Sequence, residues 1–139
     1  MYIELLYLGF PPSEFVLQDD GSGVYIRHWY SARPQPTPAE IAAATLPATK
    51  QVRATEIKDA ARARILARYP EWRQANLTAR AVELLSLQQA SGAEWVQMQQ
   101  VWAWIKSTRA RSNQLEAQVN ACTSVAAVNA VDISQGWPE

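Results

Sequence analysis

The amino-acid sequence predicts an α+β fold. An N-terminal β-hairpin, a small sheet, should precede a mainly α-helical C-terminal region with a long last helix. Three observations carry this. Two segments rich in strand formers flank Asp19-Asp20-Gly21-Ser22-Gly23, and Asp-Gly favours the positive φ angles of a tight hairpin turn. Alanine, the best helix former, supplies 23 of the 139 residues. Thr37-Pro38-Ala39-Glu40 has the residues of a capping box with proline at the first helical position. The chain divides into residues 1–46, the hairpin with a proline-rich connector, and residues 47–139, the helical region and C-terminal tail.

The elements follow in order. Residues 1–10 hold an apolar run too short to separate helix from strand, ended by Gly9 and Pro11-Pro12. Phe15 to Gln18 and Val24 to Tyr30 form the hairpin strands. Strict alternation puts Val24, Ile26, His28 and Tyr30 on one face of the second strand, and Tyr25, Arg27 and Trp29 on the other. Both faces carry aromatics, so both are expected to be covered, and a lone hairpin needs such cover. Arg33-Pro34-Gln35-Pro36-Thr37-Pro38 is a stiff, extended connector. A short helix then starts at Thr37 and stops at Pro47.

A second helix is expected over 50–69, with Ile57, Ala61, Ile65 and Tyr69 on one face. A third covers about Glu71 to Ala90. It carries one stripe of Trp72, Ala75, Ala79 and Val82, and beside it Leu77, Ala81, Leu84 and Leu85. The stripes place Trp72 in the core, and Trp95 of the following helix likewise. Gly92 is the expected stop, with Ser91 and Glu94 capping a fourth, antiparallel helix. No breaker interrupts Ala93 to Ala130. Met98, Trp102 and Ile105, then Leu115, Val119 and Cys122, share a 4,3 spacing, with Arg109 and Ser112 between them. Two readings fit: an oligomeric seam, or a break near Ser112-Asn113 with the second part folded back.

Composition narrows function. Thirteen bases cancel thirteen acids, which argues against general nucleic-acid binding. No run approaches the roughly 20 apolar residues that cross a bilayer. One cysteine, Cys122, and one histidine, His28, exclude a disulfide framework and cysteine- or histidine-rich metal sites. Asp19 to Gly23 lacks the alternating acids of a calcium loop, and no Gly-Lys-Ser/Thr marks a phosphate loop. Ser22 and His28 lie too far apart along a strand for a nucleophile and its base. His28 reads as a packed strand residue, and Cys122 as a small core residue. No catalytic, cofactor-binding or metal-ligating residue is identified, and no cofactor is expected.

Charge is uneven: residues 1–46 carry five acids and two bases, and residues 47–111 carry eleven bases and five acids. That asymmetry suits subunit contacts or solvated helix faces. Six tryptophans are unusual for this length, and tryptophan is enriched at interfaces. The candidate partner-binding residues are Trp29, Tyr30, Trp102, Trp104 and Trp137. Trp137, in the short tail, should dock in a pocket of its own chain or of a partner.

Phe15 to Trp29, with Gln18-Asp19-Asp20-Gly21-Ser22-Gly23 at its centre, and Pro34-Gln35-Pro36-Thr37 resemble the XkdW-type module of tailed-phage proteins. Val24 departs from that pattern, where the family often has proline, and so does Tyr30-Ser31, where asparagine is common. Tyr69 to Leu84 and Val101 to Asn113 are similar to a helical segment of phage tail-fibre and fibre-accessory proteins. Together the resemblances span about residues 14–116. They imply a non-enzymatic virion structural protein of the tail-fibre or baseplate region, made in the host cytoplasm and located in the virion tail. Its partner would be another phage tail protein, a fibre or baseplate subunit. The alternative is a tail-fibre assembly chaperone that leaves before the particle matures. The resemblance implies a homo-oligomer and admits a trimer, with no nucleic-acid partner and no membrane insertion.

Overall fold

A computed structural model describes residues 1–139. Its elements are α1 (Tyr2–Tyr7), a 3-10 turn (Pro12–Glu14), β1 (Phe15–Asp19), β2 (Val24–Trp29), α2 (Pro38–Arg68), α3 (Glu71–Ser86), α4 (Ala93–Ala121) and α5 (Val125–Asn129). The α+β architecture is the expected one: a two-stranded antiparallel hairpin, then helices. Two compact units partition the chain. One comprises Met1–Thr55 with Gln118–Val131, the other Glu56–Ala117 with Asp132–Glu139. Helices α2 and α4 each run through both units.

In the first unit the apolar opening run is helical. Gly9, at φ 82°, ends α1. The Phe10 amide donates to the Leu5 carbonyl and the Gly9 amide to that of Leu6, both at 3.0 Å. These are the paired bonds of a Schellman stop, which needs a left-handed residue between them. Phe10 is thereby carried back onto Leu5. With Phe15 they form a buried cluster, lined by Leu8, Leu17, Ile26 and Trp29.

Gly21 (φ 93°) and Gly23 (φ 119°) make the hairpin turn, as the Asp-Gly signal indicates. The strands pair Phe15 with Trp29 and Val16 with His28, but then Leu17 with Ile26. Arg27 is therefore the extra residue of a β-bulge. A bulge shifts the side-chain phase by one residue. Strict alternation thus fails here: Ile26 and Trp29 both pack on the core, while His28 and Tyr30 stay exposed. His28 is not a packed residue; its ring stacks on Tyr30 at 6.1 Å. The expectation that both hairpin faces are covered is also corrected, since Val16, Val24 and Tyr25 are exposed.

Thr37 and Glu40 form the capping box in full. Glu40 Oε2 accepts from the Thr37 amide at 2.7 Å and from its hydroxyl at 2.8 Å. Thr37 Oγ1 accepts from the Glu40 amide at 3.2 Å. Those two bonds, the amide first, hold the Glu40 carboxyl below the ordinary glutamate pKa. The helix then passes through Pro47 and continues to Arg68, so the expected stop and restart are replaced by one helix of 31 residues. Proline costs an interior helix about 3 kcal/mol. Buried Ala44 and Ala48 flank it and keep the helix packed on both sides of the missing bond. Lys50 Nζ donates to the Asn120 carbonyl at 2.7 Å, and Arg53 to that of Val131 at 2.6 Å. The first of these places a cation at the negative end of α4.

In the second unit Ile57, Ala61, Ile65 and Tyr69 are buried, as their spacing requires. Ile65 and Tyr69 pack with Ile105, Val101 and Trp104. Ala81 and Leu84 of α3 pack with Met98 of α4, and Leu77, Trp95 and Trp102 close that cluster. Arg80 pins the two helices, donating to both carboxylate oxygens of Glu94 at 2.8 and 3.0 Å and to Glu83 at 2.6 Å.

Helix α3 stops earlier than Gly92. Its stop is Gln88, which takes φ 56°, with Gln89 N bonded to the Leu84 carbonyl at 2.8 Å and Gln88 N to that of Leu85 at 3.1 Å. Helix α4 has no break near Ser112. The polar groups of that stretch find partners along the helix: Thr108 donates to the Trp104 carbonyl at 3.0 Å, and Ser112 to Glu116 at 3.1 Å. The interruption comes after Ala121, where Ser124 caps α5 by accepting from the Ala127 amide at 3.1 Å. Cys122 is half-buried and donates to the Gln118 carbonyl.

Candidate interaction surfaces

The hairpin unit carries the first surface. Its two strands have no third neighbour, so each keeps one open edge. Its exposed apolar side chains are Val16, Val24 and Tyr25 on the strands and Tyr30 just beyond them, with Tyr2, Leu6 and Tyr7 on α1. Tyr30 is 64% exposed, its ring stacked on His28, and is the one sequence-derived contact residue that is exposed. Trp29, its neighbour, is turned inward by the bulge. Its ring meets Phe10 edge-on at 4.8 Å, and its indole N–H donates to the Arg33 carbonyl at 2.8 Å.

The other three candidate tryptophans serve internal packing in the helical unit. Trp102 meets Trp95 edge-on at 6.1 Å. Trp104 meets Tyr69 edge-on at 5.5 Å, lies under the Arg68 guanidinium at 4.7 Å, and donates to the Glu139 carbonyl at 2.9 Å. Trp137 donates to the Ile133 carbonyl at 2.9 Å and lies under Arg64 at 4.5 Å. Arg111 holds the tail carbonyl of Gln135 at 3.1 Å and presses on Gly136, where a Cβ would sit 2.9 Å from the guanidinium. The tail therefore docks on its own chain.

The basic run of α2 is engaged in the same way. Lys58 pairs with Glu116 at 3.4 Å and Arg62 with Glu71 at 3.7 Å, while Arg64 and Arg68 cover indole rings. Beside them an open groove of about 460 Å³ has a floor of Ala61 and Ile65. Its two carboxylates, Glu71 and Glu116, are each paired with a base. No group of three or more His, Cys, Asp or Glu side chains converges on a point that could hold a metal ion. No helix is long and apolar enough to cross a membrane.

One tryptophan that its stripe places in the core is exposed. Trp72 is 66% exposed, and Val82, Leu85 and Leu87 are exposed with it. The signal was present: α3 has two apolar stripes, and only Leu77, Ala81 and Leu84 of the second are covered, while Leu85 beside them is exposed.

An exposed hairpin on a capped helix defines a small α+β module that carries outward apolar and aromatic groups on its strands. Residues 2–54 match the XkdW protein family. The match takes in α1, the hairpin, the proline-rich connector and the first half of α2. The N-terminal part of the chain is thus similar to the XkdW module, which supports a phage-related origin for that part. No curated protein and no solved structure matches the chain.

Proposed function

We propose that the protein is a structural component of a phage tail, in the fibre or baseplate region, and that it acts by binding a fibre subunit without catalysing a reaction. The observation that carries this reading is the coincidence of the XkdW match with the exposed hairpin: residues 2–54 contain the turn, the strands and the outward Val16, Tyr25 and Tyr30. An exposed apolar face on an otherwise well-capped unit suits a partner's surface. The likeness of Tyr69 to Leu84 and Val101 to Asn113 to fibre-associated helical segments supports the same location.

Mass spectrometry of purified infectious particles tests the reading. A fixed copy number relative to the tail-tube protein is expected. Absence from particles, with fibre-bound protein in infected-cell lysate, would replace it with an assembly chaperone. In either case Tyr30→Ala combined with Tyr25→Ala should weaken fibre binding about tenfold or more while helicity is unchanged.

A further inference from the structure

The geometry points to the outer edge of β2 as a slot for one extended, uncharged segment of a partner chain, held there by main-chain pairing as a third strand. This rests on the reading of the hairpin as a contact surface and names what the partner presents to it. A cleft of about 390 Å³ is bordered by Tyr25 and Ile26 of β2, Pro36 and Pro38 of the connector, and Ile41 of α2. Consecutive strand residues send their side chains to opposite faces. A cleft bordered by both Tyr25 and Ile26 therefore runs along the edge of the strand. The other edge of β2 is paired with β1, so this edge is the open one.

A strand paired on one side turns alternate N–H and C=O groups outward. The connector borders the same cleft but cannot pair with them as a strand. Pro34, Pro36 and Pro38 have no N–H. The Arg33 amide donates to Ser31 Oγ at 3.2 Å, and the Thr37 amide is taken by Glu40 at 2.7 Å. Of the connector's donors that leaves only the Gln35 amide. The chain thus places beside β2 a segment that shields one side of the slot and leaves the edge itself to a partner.

Size and lining select the occupant. Strand spacing, rise per residue and layer separation give an extended residue about 160 Å³, so the cleft holds about two or three. The bulge at Arg27 confines the regular edge facing the cleft to Val24–Ile26, which matches one short strand. Two strands side by side need twice that width, so the hairpin of a second copy does not fit. No acidic or basic side chain lines the cleft, and a charge buried there would lack a partner. The segment must supply an N–H at its pairing positions, which excludes proline there. An uncharged run of β-branched residues, added as a third strand, meets all three conditions.

A random heptapeptide library displayed on phage and panned against the full chain supplies the probes. Selected peptides are then titrated by fluorescence anisotropy up to millimolar protein. Uncharged, proline-free, β-branched sequences are expected. Methylating the peptide's backbone nitrogens one at a time should weaken binding about tenfold or more at every second position, with little change between them. Ala42→Trp, at an exposed site of α2 that also lines the cleft, should weaken binding about tenfold with unchanged helicity. If that variant folds poorly, the methylation series still decides, because it leaves the protein unaltered. No binder up to millimolar protein, charged binders, a methylation profile without alternation, or indifference to a folded Ala42→Trp would overturn the slot. So would a dimer of this chain that displaces the peptide. Binding lost in the Tyr25→Ala, Tyr30→Ala double variant but unchanged in Ala42→Trp would keep the hairpin as the contact surface and overturn only the edge pairing.

Discussion

The guanidinium of Arg33 lies 3.8 Å from the centre of the Phe10 ring and donates to the Gly9 carbonyl at 2.6 Å. One side chain from the connector thus grips both the stop of α1 and the aromatic that the stop delivers. The Arg33 carbonyl in turn receives the indole N–H of Trp29. Arg33→Ala should destabilise the protein by about 1–2 kcal/mol through loss of the cation–π contact and one hydrogen bond. Urea unfolding would measure it. Arg33→Lys should recover only part, because an ammonium cannot cover the ring and reach the carbonyl with a planar fork.

Gln88 stands where a glycine would be easier. A non-glycine residue in the left-handed region costs about 1–2 kcal/mol. Gln88→Gly should therefore raise stability by about 1 kcal/mol, read as a higher urea midpoint with an unchanged slope. An unchanged or lower midpoint would mean that the Gln88 side chain contributes more than its backbone conformation costs.

Pro47→Ala restores an amide that can bond to the Ala43 carbonyl. Helix α2 is already continuous there, so no rearrangement is required. The variant should gain about 1–3 kcal/mol, checked by thermal and urea unfolding. A loss would show that the proline ring itself fills space beside Ala43, Ala44 and Tyr7.

The capping box carries a pH signature. The Thr37 amide and hydroxyl hold the Glu40 carboxyl below its ordinary 4.5. A depressed folded-state pKa contributes stability that is present above the unfolded value and is lost as pH falls through the folded one. Wild type should therefore be more stable than Glu40→Ala at neutral pH, and the difference should vanish in acid, below pH 4.5. Thr37→Ala should cost about 1 kcal/mol at neutral pH.

What could be read in the sequence was whatever a residue dictates locally. Gly21 and Gly23 must sit where φ is positive, and Thr37 with Glu40 must meet at a helix start; both are where their chemistry requires. Features set by balance between distant terms were not legible. Pro47 disfavours a helix by itself, but buried Ala44 and Ala48 decide the outcome. The bulge at Arg27 has no local marker, yet it reverses which of Trp29 and His28 faces the core. Trp72 and Leu84 sit on equally apolar stripes of one helix, and only the position of α4 shows which stripe is covered. The contact residues followed suit: the candidate tryptophans were spent on packing, whereas Tyr30 remained outward.

The first unit is discontinuous: it needs Gln118–Val131 to join Met1–Thr55. A ribosome adding about 5–20 residues per second takes several seconds to cross the intervening stretch. The hairpin's unit is begun before that stretch and closed only after it. Until Asn120 and Val131 emerge, Lys50 and Arg53 lack the carbonyls they bind. The unit that carries the apolar hairpin face is thus incomplete while residues 56–117 are being made.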